Sequence, residues 1–490
     1  MKKIALILAA MTIFCSLAAS CKTDGKASDT ADTKNPAIGE TAIELATEEE
    51  IKDSLPDGLD FGGQTLNLYT FSAGNLDFYA ESETGEIIND IKYKSIIGIE
   101  ERLNIKINFI RDTSDWNDGK PFTKIRANVG SGDQAYDLVD TWGNKLLALA
   151  VDGFLKNMYD VPLLKLSEPW WNKSIVDELT VNNKLFVAGG DANYSILFYA
   201  NGVCVNKALL RDYGLPDLYQ VVFDGKWTLD YMDNLIRGVY ADLNGNGTAD
   251  KDDLYGIAWP NYNAPTMMMD SANAHLIKRG ADGYPQLAPD HEKLARLAEK
   301  SYELFFKNPG SCWFQQGGEN DSFYTEKFPK GQLLLYPNGL GHSIDFRGME
   351  QDFGIIPFPK YDEEEEHYYS YVYYVAAMLA IPKICEKTEL VGAFMEASAC
   401  DAYKNLTPVF FDTVLNVKIA RDEETTKMID IIRSSAYISF EKLFDVGGAG
   451  DMMSALMNSK NSNYASWFEK NESKIQKGIE KIIDKFDEIS

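Results

Sequence analysis

The chain has 490 residues, with 48 Lys and Arg against 74 Asp and Glu and a formal charge of −26 at neutral pH. A body this acidic repels phosphate backbones, which argues against a nucleic-acid partner, and the surplus charge reads as a solubility device. At this length more than one domain is expected, and 12% aromatic residues give each ample apolar surface to bury.

The first segment sets the compartment. Lys2 and Lys3 precede an apolar run from Ile4 to Leu17, and Ala18-Ala19-Ser20 leads into Cys21. A basic start, an apolar stretch and small residues before a cut make residues 1–20 an export signal peptide. A cysteine directly after the small residues points to lipidation of Cys21 and to anchoring at the outer face of the cell membrane. Ala18 stands where such signals usually carry a larger apolar residue, so ordinary secretion and an uncut anchor stay open. Residues 21–60 are poor in aromatics and rich in Lys, Asp, Thr, Ala and Glu. They cannot bury enough surface to order themselves and read as a flexible tether. After the signal no apolar run is long enough to span a bilayer.

From residue 61 strands and helices alternate. Leu66 to Tyr69 alternates as a strand, and Ile88, Ile91, Ile96, Ile99 and Leu103 recur at helical spacing. Ile105 to Phe109 alternates again, and a short helix then leads to the apolar Tyr136 to Val139. That order opens a doubly wound α/β sheet, whose ligands gather beyond the carboxyl ends of its strands. Further on, Thr228 is placed to cap a helix, with Asp230 in its first turn. Leu333 to Tyr336 and Phe353 to Ile356 read as buried strands, Tyr371 to Ile381 as a longer one, and a terminal amphipathic helix carries Ile475, Ile479, Ile482 and Phe486. The simplest layout is two α/β lobes with more than one crossing. Residues 61–195 and 330–400 form the N-terminal lobe, and 196–329 with 401–490 form the C-terminal lobe.

One loop has the spacing of a cation site. Asp242, Asn244, Asn246, Thr248, Asp250 and Asp253 fall at positions one, three, five, seven, nine and twelve, with Gly247 at six. This is the EF-hand pattern, in which oxygen ligands surround calcium and glycine makes the tight turn, except that Asp253 replaces the usual glutamate. Leu254 to Ile257 reads as a strand rather than a second helix, so a structural clip is expected, with a metal-free Asn/Gly turn as the alternative.

The aromatics gather near expected strand ends and in loops: Trp142, Trp170, Trp171, Tyr194, Trp227, Trp259, Tyr262, Trp313, Tyr336, Tyr373 and Tyr374. Sugars present an apolar C–H face and a rim of hydroxyls, so their sites pair flat rings with hydrogen-bonding side chains. Trp142 with Asn144, Asp191 with Tyr194, Trp259 with Tyr262 and Asn263, and Tyr336 with Asn338 are such pairings, and Tyr373 joins them as a candidate. No GxSxG, HExxH, P-loop or CxxC occurs, and the four histidines are scattered. Acidic pairs are plentiful enough to leave a surface glycoside hydrolase or lyase as an alternative. Cys204, Cys312, Cys385 and Cys400 are far apart, and their spacing leaves disulfides and buried thiols equally open. The run Asp362 to Glu366 reads as a solvated loop.

Several fragments resemble one family in their order and spacing. They are Gly132-Asp133 through Tyr136-Asp137-Leu138-Val139, Asp152-Gly153-Phe154-Leu155 before Val161-Pro162, and Val205-Asn206-Lys207 with Tyr213-Gly214-Leu215-Pro216. Lys226-Trp227-Thr228 and Phe353-Gly354-Ile355-Ile356-Pro357-Phe358-Pro359-Lys360 complete the set. Together they resemble the extracellular solute-binding proteins of ABC importers, in the carbohydrate-binding group similar to maltose-binding protein. The resemblance implies a two-lobed periplasmic-binding-protein-like fold with hinge crossings and a ligand cleft between the lobes. It also implies a monomer without covalent chemistry that closes on a sugar and docks on a membrane permease. A binder of a non-sugar solute on the same fold is the remaining alternative.

Overall fold

The computed structural model describes residues 51–71, 78–114, 119–260, 263–313, 326–415 and 423–489. The expected export signal, Cys21, the tether before residue 51, and Tyr262 lie outside them. The strands are β1 (Gln64–Thr70), β2 (Ile105–Arg111), β3 (Leu138–Trp142), β4 (Asn201–Asn206), β5 (Tyr240–Ala241), β6 (Leu254–Ala258) and β7 (Ile277–Arg279). They continue with β8 (Pro285–Leu287), β9 (Ser311–Cys312), β10 (Leu333–Gly339), β11 (Phe353–Pro357), β12 (Ser370–Tyr371), β13 (Ala377–Ala380) and β14 (Ala436–Tyr437). Two main sheets result, one ordered β13-β3-β1-β2 and one ordered β11-β4-β10-β6-β5 with β9 beside β6.

The first sheet is doubly wound as expected, with β1 parallel to both β2 and β3. The helix Ile87–Leu103 between β1 and β2 begins where the Glu86 carboxylate accepts the amides of Ile88 and Asn89. It ends at Asn104, whose left-handed φ of 48° turns the chain straight into β2. Its buried stripe, Ile88, Ile96, Ile99 and Leu103, faces the helix Thr388–Asp401, which is buried along almost its whole length.

Three segments of the expected layout are placed differently. Residues 51–60, assigned by composition to the tether, are tied to the body. The Ser54 hydroxyl donates to Glu396 over 3.1 Å, Arg102 pairs with Asp53, and Leu55 is buried. Strands β10 and β11, assigned to the first lobe, flank β4 antiparallel in the second sheet. The reason is that β4 is buried throughout and needs ladder partners on both edges. Only β13 returns to the first sheet, antiparallel to β3. The expected long strand Tyr371 to Ile381 is two strands, because the chain changes sheets between them. The amide of Tyr373 donates to the Tyr199 carbonyl and that of Ala376 to the Tyr373 carbonyl.

The crossings lie side by side. The helix Tyr194–Tyr199 carries the chain into β4, and the Asn201 side-chain amide donates to the carbonyls of Tyr199 and Tyr371, each at 2.9 Å. Strand β12 pairs with β14, and the Val372 amide donates to the Tyr437 carbonyl. Three chain segments therefore form one hinge. Thr228 caps its helix through the Tyr231 amide, and the terminal helix Tyr464–Glu488 buries Ile475, Ile479, Ile482 and Phe486. The four described cysteines are buried, and burial pushes the Cys204 thiol up to about 12. Among the described residues no helix is long and apolar enough to cross a membrane.

Candidate ligand cleft

A hollow of ≈ 920 Å³ opens between the two sheets, on the side where the crossings run. One wall comes from Pro169 to Ser174 and from Asp191, attached to the first sheet through the bridge of Ala188 to Leu379. The opposite wall is Leu340 with Asp430, Ile431, Arg433 and Ser434 of the helix Glu423–Ser434, which packs on β11. Tyr403 and Phe411 come from the helical segment that follows Asp401.

The first wall is held from behind. Trp171 pairs with Gly190 so closely that a Cβ at Gly190 would lie 2.2 Å from the Trp170 carbonyl oxygen. That approach lets the Asp191 amide donate to the same carbonyl at 3.0 Å, fixing Asp191 at the hollow. The Trp171 indole N–H donates to Glu396 over 3.2 Å, inside the first lobe. Glu396 is fully buried, and burial raises its pKa above the usual carboxylate range, against the pull of the Lys165 amide and the indole.

The polar centre of the cleft is Arg433 with Asp191. The guanidinium lies 5.1 Å from the Tyr403 ring centre and 5.9 Å from that of Phe411, within cation–π range of both. It stands 3.4 Å from Asp191. Asp191 is almost wholly buried, and that burial pushes its carboxyl up to about 6, against the pull of Arg433. The Trp170 and Tyr403 rings meet at 6.4 Å with planes 61° apart. Flat rings, a forked donor and a carboxylate acceptor in one hollow suit a neutral solute with an apolar face and a hydroxyl rim. A second hollow of ≈ 400 Å³ shares Ser174, Ile431, Ser434 and Ala436 with the first and runs toward Tyr368, Tyr369 and Tyr437.

The residues singled out in the sequence are not gathered in one place. Asp191 lines the cleft. Tyr194 lies behind it, its ring 5.3 Å from Phe410 and 6.0 Å from Phe198. Trp142 packs on Phe71 and Phe122, and Asn144 starts the next helix with a buried side-chain oxygen. Trp259 is fully buried in the second lobe, with its indole N–H on the Ser311 hydroxyl at 2.8 Å and its ring on Phe305. Tyr336 is fully buried as well and accepts from Asn338 at 2.5 Å, while Asn338 accepts the Gly339 amide. Asn263 is buried ahead of the helix Ala264–Ser271, and Tyr373 packs edge-on against Tyr199 in the hinge. These side chains serve the interior and the hinge, so their place beside strand ends gave direction but not depth. Trp170 and Trp171 were in the aromatic set. Tyr403, Phe411 and Arg433 sit on helices, where their spacing carries no sign of a cleft.

The acidic loop is the turn of the β5–β6 hairpin. Asp242 accepts the amides of Gly245 and Gly247, and both glycines have left-handed φ values, 71° and 75°. The side-chain amides of Asn244 and Asn246 donate to Asp250, while buried Asp253 accepts the Leu243 amide and the Tyr240 hydroxyl. Among the described residues no group of three or more His, Cys, Asp or Glu side chains is arranged to hold a metal ion.

Comparison with known proteins agrees with this architecture. Residues 99–402 match the family described as bacterial extracellular solute-binding protein, and the chain belongs to that family. Among solved structures it is similar to the galacto-N-biose/lacto-N-biose I-binding protein of an ABC transporter from Bifidobacterium longum, in complex with lacto-N-biose. That pair shares 12% identity with a TM-score of 0.56, over 86% of this chain and 98% of the other. An ABC substrate-binding protein of Listeria monocytogenes in complex with cycloalternan shares 14% identity with a TM-score of 0.51, over 87% and 99%. RafE of Streptococcus pneumoniae, in its apo form, shares 14% with a TM-score of 0.53, over 85% and 98%. No curated protein matches the chain in sequence.

Proposed function

We propose that this protein captures a saccharide in the cleft, closes its lobes on it without altering it, and delivers it to the permease of an ABC importer. The observation that carries the reading is the Arg433 guanidinium, set within 6 Å of the Tyr403 and Phe411 ring centres and beside Asp191 at the junction of both lobes. The ligands of two similar structures, lacto-N-biose and cycloalternan, belong to the same chemical class. Closure follows from differential contact, because a ligand touching both walls favours the state in which both are near. Export as a monomer tethered through lipidated Cys21 completes the proposal, since capture outside the cell requires a membrane anchor or confinement.

The test is a thermal-shift screen of mono- and oligosaccharides. A sugar at one hundred times its Kd should raise the melting temperature by about 3 °C in a chain of this size, and it should be recovered unchanged. No rise with any sugar, or hydrolysis products in the mixture, would reject the reading.

We further propose that the loop from Asp242 to Asp253 binds calcium as a clip on its hairpin. Supporting this are the EF-hand spacing and the two left-handed glycines tied to Asp242. Binding would draw oxygens from Asp242, Asn244, Asn246, the Thr248 carbonyl, Asp250 and Asp253, after the Asn side-chain amides turn away from Asp250. Millimolar calcium should raise the melting temperature by about 3 °C over chelator, and Asp242→Ala should erase the difference. Indifference of the unaltered protein to chelator would discard the clip.

A further inference from the structure

Beneath the hinge lies a closed group of ionisable side chains that the cleft does not use. His275 is buried, with Nδ1 3.7 Å from Glu441 and 3.9 Å from Asp270, both themselves buried. These spacings exceed direct hydrogen bonds, and neither imidazole nitrogen has a hydrogen-bond partner among the described residues. The ring lies 5.2 Å from that of Tyr437 in β14, at 37°. Tyr437 in turn reaches Glu178, on the helix Lys173–Leu179 that walls the cleft.

The elements supplying this cluster belong to different parts of the fold. Glu178 comes from the first wall of the cleft. Asp270 and His275 follow β6 of the second sheet, and Glu441 follows β14. Glu441 spends its other oxygen on the amides of Leu276 and Ile277, at 2.9 Å each, which pins it in place. The cations that act here are Arg279 on Glu178 and Lys442 on Asp270, while Asp177 opposes the charge of Glu178, and Asp270 helps keep the buried Tyr371 hydroxyl protonated. Two carboxyl groups thus lie within 4 Å of one histidine at the junction of the crossings, and Glu178 acts on it through its charge.

We infer that His275 is a proton-dependent positioning group for the hinge: its cation, shared by Asp270, Glu441 and Glu178, holds the two lobes in the arrangement described, and loss of protons from the cluster loosens it. The directions agree. Burial pushes Asp270 up to about 7 and Glu178 above the ordinary range. Burial also opposes the charge of His275, yet Glu441, Asp270 and Glu178 together raise its pKa above the ordinary value. All three groups therefore hold protons more tightly here than in an unfolded chain, so the stability they lend is present at low pH and lost as pH rises through about 7. A motion that draws Glu178 away from Tyr437 and His275 breaks the same cluster, so the hinge shares this dependence.

The experiment needs no sugar, so its failure is separate from failure of the saccharide reading. Melting temperatures of the full chain and of Asp270→Asn are compared at pH 6 and pH 8. At pH 6 the buried carboxyl keeps its proton while the unfolded one has already lost it, so the variant should melt higher than the unaltered protein. Between pH 6 and pH 8 that gap should widen by about 1.5 °C, as the buried carboxyl ionises as well. His275→Gln should show the complementary loss, larger at pH 6 than at pH 8, and serves if the first variant does not fold. Small-angle scattering of the unaltered protein without ligand should give a larger radius of gyration at pH 8 than at pH 6, and Asp270→Asn should not. Differences in melting that do not change with pH, or a radius that does not change, would overturn the inference.

Discussion

Tyr403→Ala is expected to weaken saccharide binding roughly 10- to 100-fold, about 1.5–3 kcal/mol, with little loss of fold stability. Tyr403 does two things in the cleft. Its ring meets Trp170 at 6.4 Å to form a corner of two aromatic faces, and it supports the Arg433 guanidinium from 5.1 Å. Truncation removes a stacking face and frees a side chain whose rotamers must then be ordered by the ligand. Trp170 would make a harsher but less legible variant, because it is 3% exposed and its carbonyl accepts the Asp191 amide. Tyr403 is only half-buried, so its removal leaves the interior filled. Titration calorimetry of Tyr403→Ala and Tyr403→Phe with the sugar found in the screen separates ring from hydroxyl. The Phe variant should bind within a few-fold of the unaltered protein, and an Ala variant of unchanged affinity would place the sugar elsewhere.

The sequence was most informative where one physical rule governed a segment. The helix to Leu103 and strand β2 follow directly from apolar periodicity, and the left-handed Asn104 between them is a local turn. The terminal helix is likewise plain in Ile475, Ile479, Ile482 and Phe486. Sheet membership was less legible. Nothing in Leu333 to Tyr336 says whether a uniformly apolar strand joins β3 or β4, because a strand buried on both faces carries no alternation to assign its neighbours. The cleft was the least legible. Trp259 and Tyr336 look like sugar platforms by type and position, yet each is fully buried and spends its polar atom inside the lobe. Asp191 was visible beside an expected strand end. Its partner Arg433 lies 242 residues away on a helix, and only the crossings of the chain bring the two together.

Replacing Asp191 by asparagine should move stability and binding in opposite directions. Burial pushes the carboxyl up to about 6, and Arg433 offsets that only in part. A raised carboxyl destabilises the fold once ionised, so its contribution is unfavourable above pH 6 and vanishes as pH falls below the ordinary carboxylate value. Asp191→Asn removes that penalty, and its melting temperature should exceed that of the unaltered protein at pH 7.5 but not at pH 4. Binding has the reverse requirement. Sugar hydroxyls donate to an ionised carboxylate more strongly than to an amide, so the bound state favours the charged form and draws its pKa down. Affinity of the unaltered protein should therefore be level above pH 7 and fall as pH drops through 6, by at most about tenfold per pH unit. The asparagine variant should bind on the order of 100-fold more weakly at pH 7.5 and show no such slope. Calorimetric titration at pH 5, 6, 7 and 8, beside melting curves at the same values, separates these effects. A variant that loses affinity while keeping the slope would assign the titration to another group, whereas equal affinity at pH 7.5 would remove Asp191 from the site. Opposite signs in the two measurements would mark Asp191 as a residue kept for recognition at a cost in stability.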